Sequence, residues 1–246
     1  MWHFTADWHL NHINIIKYCN RPFLTEYEKA TISLAKKGCI SLKSVTIDQD
    51  AVKKMNNCII ESTNNTVASD DNLVILGDFC WSSTTKKDVA DFFDRINCKN
   101  IYLIFGNHDN RKVLSSFFKA IYDHHVFYIE KQNIFTSHYP CRSWPSSNYG
   151  SWMLYGHVHN KLKQQDDCTL SLEEKETIKS RIEDLTEFKL EPEKVDIFVK
   201  SMQTLFLKNN LTLDVGVDNI REEVPFGTPW SFNDIKFHME KKLINE

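Results

Sequence analysis

The chain has no C-x-x-C pair, no apolar run that approaches a bilayer span, and no surplus of basic residues. Each absence excludes something. Seven cysteines are scattered singly, an odd number, which fits neither a disulfide framework nor a structural thiolate zinc site. They read as reduced thiols. The start, MWHFTADWHL, has no basic segment before an apolar stretch, so neither a secretory leader nor a membrane anchor is expected. The expected compartment is the cytoplasm. The net charge of −3 argues against a general electrostatic grip on nucleic acid, which shows as a basic domain, and leaves room for a local basic groove. There is no internal repeat and no low-complexity tract.

What is present is a series of short apolar runs, each ending in polar residues. Trp2 to Ala6 ends in Asp7-Trp8-His9. Leu73 to Leu76 ends in Gly77-Asp78, and Ile101 to Phe105 ends in Gly106-Asn107-His108-Asp109. Ile134 to Thr136 ends in Ser137-His138. Trp152 to Tyr155 ends in Gly156-His157-Val158-His159, and Leu211 to Leu213 runs on into Asp214 and Asp218. Such runs are strand-like. Between them, residues 48–62, 86–96 and 111–121 carry apolar positions at helical spacing. Strands alternating with helices predict an α/β layered fold, in which ligands gather beyond the carboxyl ends of strands. Two stretches read as additions: 33–47, and a helical hairpin at about 166–210. The hairpin's second helix starts near Pro192 and carries Val195, Phe198, Val199, Met202, Leu205 and Phe206 on one stripe.

The strand-end residues are Asp7, His9, Asp78, Asn107, His108, His138, His157 and His159. Imidazole and carboxylate together suit manganese, iron and zinc. In an extended segment, residues i and i+2 point the same way, so Asp7 with His9, and His157 with His159, are expected to face one ion each. One ion would leave several of these groups unused, whereas two ions sharing a carboxylate would use them all. Each pair alone is ordinary turn or cap chemistry. The set, each member after a strand, is a metal site.

The ordered pattern D-x-H, G-D, G-N-H-D, H, G-H-x-H resembles the calcineurin-like metallophosphoesterase superfamily. The opening DWHLNHINIIKYCNRPF is similar in particular to a bacterial and phage branch of small phosphoesterases. The resemblance implies one α/β domain over 1–246: a two-sheet β-sandwich flanked by helices in four layers, with the 166–210 insertion. It implies two divalent ions, manganese first, with iron, zinc, nickel or cobalt as alternatives. Asp7, His9 and His159 would bind one ion, Asn107, His138 and His157 the other, and Asp78 would bridge them. His108 would meet the substrate phosphate and leaving oxygen, with Asp109 orienting it. The implied activity is hydrolysis of a phosphoester by a metal-activated hydroxide. A nucleotide or nucleic-acid diester is favoured over a monoester, and a non-catalytic scaffold is the remaining alternative. No obligate protein partner and no membrane are expected.

The departures narrow the family. No Asp-Arg-Gly follows Asp78, and Asp109 stands where protein phosphatases have Glu, so a protein phosphatase is not expected. Trp81 occupies the place of the ligating tyrosine of purple acid phosphatases, which speaks against a tyrosinate–iron centre. Substrate contacts are sought next to the motifs, at His12, Arg21, Arg111, Arg142 and Trp144. Arginine binds phosphate bidentately, and tryptophan stacks on bases.

Overall fold

The computed structural model describes residues 1–162, 177, 179–181 and 211–244. The chain divides into two compact units, Met1–Asn160 with Leu211–Glu246, and Lys161–Asn210. The predicted hairpin at 166–210 lies in the second unit and, apart from the helical residues 177 and 179–181, outside the described residues.

The first unit is built on two mixed sheets. In one, β1 (Trp2–Thr5), β2 (Asn72–Ile75), β3 (Asn100–Ile104) and β4 (Ala120–Tyr122) run parallel in the order β4-β3-β2-β1. The short β9 (Trp230–Ser231) closes the edge antiparallel to β1. The other sheet pairs β5 (His124–Ile129) antiparallel to β6 (Gln132–Ser137), then continues parallel through β7 (Trp152–Tyr155) and β8 (Thr212–Asp214).

Alternation along the strands explains the layering. Phe4, Val74, Leu76 and Ile104 form one buried cluster with Phe127, Ile134, Leu154 and Leu213 of the second sheet. The alternate residues Leu73, Ile75, Ile101 and Leu103 pack instead with Met55, Ile59 and Ile60 of α3 (Gln49–Thr66) and Val89 and Phe92 of α4 (Lys86–Phe93). Strands hydrophobic on both faces need cover on both sides. Asp48 caps α3, and a reciprocal Thr85–Asp88 box caps α4. On the outer face of the second sheet, Phe135, Met153 and Tyr155 are covered by Trp144.

Two local expectations change. The periodic stretch 111–121 is only one helical turn, α5 (Arg111–Leu114), before β4. Ile121 and Tyr122 pair with Leu103 and Ile104, so sheet pairing overrides the helical pattern. The stretch 33–47 is not wholly an interruption. It begins inside α2 (Glu26–Lys36), which follows α1 (Ile13–Tyr18) and whose capping Glu28 also accepts the Asp48 amide and so ties two helix starts together. Among the described residues, no helix is long and apolar enough to cross a membrane.

The sheets meet at their strand ends. Ala6 bridges Gly216, Val217 N–H donates to the Ala6 carbonyl, and Asp7 N–H donates to the Gly77 carbonyl at 3.1 Å. The polar clusters of both sheets therefore lie around one junction.

Candidate metal centre

The strand ends are not extended. Asp7, His9, Asp78, His157 and His159 all have left-handed backbone, with φ of 59°, 51°, 53°, 71° and 49°. The i, i+2 pairs converge through these turns and not through strand alternation, because β1 and β7 have already ended. Asp and His are among the side chains that tolerate this region best. Each such residue still costs about 1–3 kcal/mol and persists only where its surroundings over-determine it. Here they do: His9 N–H donates to the Asp78 carbonyl at 2.8 Å, Leu10 N–H donates to that of Phe79 at 3.1 Å, and Asn56 clasps Asn11 through two hydrogen bonds.

The turns gather the side chains into linked groups. Ligand atoms of Asp7, His9 and His159 lie within 4.8 Å of one another, as do those of Asp78, His138 and His157, and those of His9, Asp78 and His108. The Asp78 carboxylate stands between the first two groups, 3.3 Å from His9 Nε2 and 3.4 Å from His138 Nε2. Asn107 Oδ1 is 3.1 Å from His138 Nε2 and 3.0 Å from His157 Nδ1. His9 Nε2 is buried without a hydrogen-bond partner, a cost a protein rarely bears without return. An all-nitrogen-and-oxygen donor set with one orphaned imidazole nitrogen fits divalent ions.

Close approach is made by glycine. A Cβ on Gly106 would lie 2.4 Å from both the Asp78 amide and its carboxylate, and one on Gly216 would lie 2.6 Å from the Asp7 carboxylate.

Burial pushes the Asp7 carboxyl up to about 7 and the His9 imidazole down to about 2. Burial works against charge on Asp78 as well, but His138 and His9 outweigh it and hold that carboxylate well below the usual range. Burial also disfavours charge on His159, yet Asp218 outweighs it and raises the imidazolium to about 10. Folded values above 3.8 for Asp7 and above 6.5 for His159 mean that the ion-free protein holds these protons more tightly than the unfolded chain. Their stability contribution is therefore present at low pH and lost as pH rises through about 7 and about 10. Ion binding needs both groups deprotonated on the facing atom, so it must expel protons. Titration with Mn²⁺ in two buffers of different ionisation enthalpy at pH 7 is expected to show net proton release, and affinity that rises with pH. Identical heats in both buffers would contradict this arrangement.

The other residues sought from sequence fall elsewhere. Asp109 makes no hydrogen bond to the His108 ring. Its carboxylate accepts from the amides of Gly106, Asp78 and Phe79 at 2.8–2.9 Å, locking two ligand loops together, and burial raises its pKa to about 6. Arg21 is fully buried; its guanidinium holds Asp218 and the carbonyls of Asp7 and Trp8. His12 is buried, with Nδ1 3.4 Å from His9 Nδ1 and its ring stacked on Trp81. Trp144 is a core residue whose indole donates to the Ser151 carbonyl, so it has no face for a base. Arg111 lies over the Phe105 ring and pairs with Asp123. Arg142 is exposed in the loop after His138.

Sequence reading passed over Asp218, which accepts from His159 Nδ1 at 2.7 Å and from Arg21, and Asp214, which accepts from the Asn160 and Gly216 amides. The signal was available in composition. The chain has only seven glycines, and four of them, Gly77, Gly106, Gly156 and Gly216, crowd the ligand turns.

The family model for calcineurin-like phosphoesterases matches residues 3–203, and the chain belongs to that family. An uncharacterized protein of Methanocaldococcus jannaschii is 29% identical over 154 residues, 63% of this chain and 66% of that protein's length, so the match spans just under two thirds of the relative. A crystal structure of a protein of unknown function from Aquifex aeolicus aligns at 22% identity with a TM-score of 0.44, covering 65% of this chain and 79% of that one. Family membership and the carboxylate–imidazole clusters support a metal-dependent phosphoesterase.

Proposed function

We propose that the protein is a two-metal phosphodiesterase of the cytoplasm, acting without an obligate protein partner on a nucleotide or nucleic-acid diester. The reading is carried by what borders the two donor clusters. Two of the three arginines beside the ligand loops are engaged, Arg21 with Asp218 and Arg111 with Asp123, and Arg142 alone is exposed without an ion pair among the described residues. The rings of Trp81, backed by buried His12, and of Tyr139 stand at the rim. A monoester dianion calls for extra cationic contacts. A diester carries one charge less and a second organic group, which rings accommodate.

Asp7, His9 and His159 would hold one ion and Asn107, His138 and His157 the other, with the Asp78 carboxylate shared. Two divalent ions, manganese foremost, with iron, zinc, nickel or cobalt admitted by the same donors, would supply Lewis acidity and a nucleophile at neutral pH. Asp78 enters as the carboxylate and His9 as the neutral imidazole, the forms a cation needs. His159 keeps its Nδ1 proton on Asp218 and offers Nε2. His108, half-exposed, donates a proton to the leaving oxygen. Asp109 keeps the Asn107–His108 turn seated against Asp78.

The test is parallel hydrolysis of bis(p-nitrophenyl) phosphate and p-nitrophenyl phosphate with added Mn²⁺. Higher kcat/KM on the diester is the expected result. Preference for the monoester would replace this reading with a phosphomonoesterase. Stoichiometric metal without turnover of either would point to a scaffold.

A further inference from the structure

Trp81 is the largest ring at the centre that neither holds an ion nor moves a proton in the proposed chemistry. It follows Cys80, which bridges Leu10, and its amide donates to the Leu10 carbonyl at 2.9 Å. The Trp81 backbone is thus zipped to the turn that carries His9. One face of the indole is stacked on His12, with ring centroids 3.8 Å apart and planes inclined by 17°. His108 lies 4.9 Å from Trp81 and 5.9 Å from His12. These three separations form a triangle with a near right angle at Trp81. His108 therefore sits at the indole's edge and not over its second face. The side chain is half-exposed, and among the described residues no other ring lies against it.

An indole with one face backed by a buried imidazole, no ring against the other among the described residues, and a half-exposed side chain is an unusual use of tryptophan. Core tryptophans cover both faces, because each face carries a large apolar area. The backing ring also has little freedom. His12 is buried, its Nδ1 is paired with His9, and its amide donates to the His9 carbonyl at 3.0 Å. The indole is thus preorganised, which lowers the entropic cost of using it to bind.

We propose that the outer face of Trp81, braced by His12, is a stacking platform for a planar group attached to the scissile phosphate, a nucleobase or an aryl ring, on the His108 side of the centre. This rests on the phosphoesterase reading and deepens it. It assigns the substrate class to phosphoesters bearing a base, and the recognition to stacking, with no requirement for a particular base. Every base has a π-face, so sequence preference is expected to be weak.

The test measures binding directly on the Mn²⁺-loaded protein, so that it does not depend on turnover. The probes are adenosine 5′-monophosphate and ribose 5-phosphate, which share the phosphate and sugar and differ by the base. Stacking contributes about 1–3 kcal/mol per base, so the wild type is expected to bind the first about 5- to 150-fold more tightly. Trp81→Ala is expected to bring that ratio close to one, with the ribose 5-phosphate constant unchanged. Trp81→Phe is expected to keep part of it. A general loss of structure would weaken both probes alike and leave the ratio intact. Equal binding of the two probes by the wild type would overturn the platform. So would a preference that survives Trp81→Ala and is lost in Tyr139→Ala, since Tyr139 exposes its ring beside His157 on the other flank. A monoester preference in the hydrolysis assay with the Trp81-dependent ratio intact would overturn the diester reading and leave the platform standing.

Discussion

Replacing His108 with alanine is expected to lower kcat on a diester by about 10²–10⁴-fold, the usual range for a positioned proton donor, with the metal count and the melting temperature unchanged. The structure separates this residue from its neighbours. His9, His138 and Asp78 are buried, whereas the His108 ring is half-exposed and, among the described residues, makes no hydrogen bond. Its backbone amide, not its ring, is what Asp78 engages, at 2.9 Å. Removing the ring therefore leaves the loop's main tie in place. The competing role is ligation, because a His108 ring nitrogen comes within 4.8 Å of donor atoms of His9 and Asp78. A ligand and a proton donor differ in the metal stoichiometry of the variant: two ions retained with activity lost supports the donor, and one ion lost with the activity supports the ligand. The leaving group sharpens the distinction. A good leaving group such as p-nitrophenolate needs little protonation, so the variant's defect is expected to be larger on an alkyl-leaving diester.

The second large effect concerns stability. Arg21→Met is expected to lower the free energy of unfolding by about 3–5 kcal/mol, the cost of stranding a buried charge. Arg21 Nε and Nη2 bind the two Asp218 oxygens at 2.9 and 2.7 Å, while Nη1 and Nη2 donate to the Trp8 and Asp7 carbonyls at 2.9 and 2.7 Å. Both side chains of the pair are out of solvent. Burial disfavours the charge on Asp218, but Arg21 and His159 outweigh it and keep the carboxylate ionised. With methionine at position 21, Asp218 keeps only His159, and two carbonyls of strained turns lose their donors. Urea denaturation of the ion-free protein reads the loss. The double variant Arg21→Met with Asp218→Leu is expected to recover part of it, since replacing both partners of a buried pair with apolar groups is often close to neutral. A loss under 1 kcal/mol in the single variant would mean that water reaches the pair. Salt is expected to change little, because buried pairs are weakly screened. Metal affinity is expected to fall as well, because the Arg21–Asp218 pair fixes the turn bearing Asp7 and the tautomer of His159.

Chemistry-bearing residues with a local signature could be read from the sequence. The apolar runs ending at Asp7, Asp78, Asn107, His138 and His157 are strands of four to six residues, because β-rich apolar stretches followed by glycine or polar residues have few other solutions. The residues at those ends lie around one junction. The α/β layering followed from the same pattern, whereas the division into two sheets was implied by the family resemblance.

Tertiary structure alone decided what those side chains rest on. Arg21 looked like a phosphate ligand because an arginine near a motif in sequence is assumed to be near it in space with its head free. Its partner Asp218 is 197 residues away, and no local pattern announces a buried ion pair. Trp144 looked like a base-stacking residue, yet the outer face of the second sheet needed an indole to cover Phe135 and Met153. Asp109 looked like the orienting partner of His108 from adjacency, but the amides of Gly106 and of the left-handed turn at Asp78 and Phe79 hold its carboxylate under the loops instead. Trp81 was read only as the absence of a tyrosine, because which indole face is covered depends on a ring 69 positions earlier in the chain, His12. Ligand type is a property of composition and spacing, which the sequence by itself determined. Burial, facing and long-range pairing are properties of how the two sheets close on one another, and only the folded chain decides them.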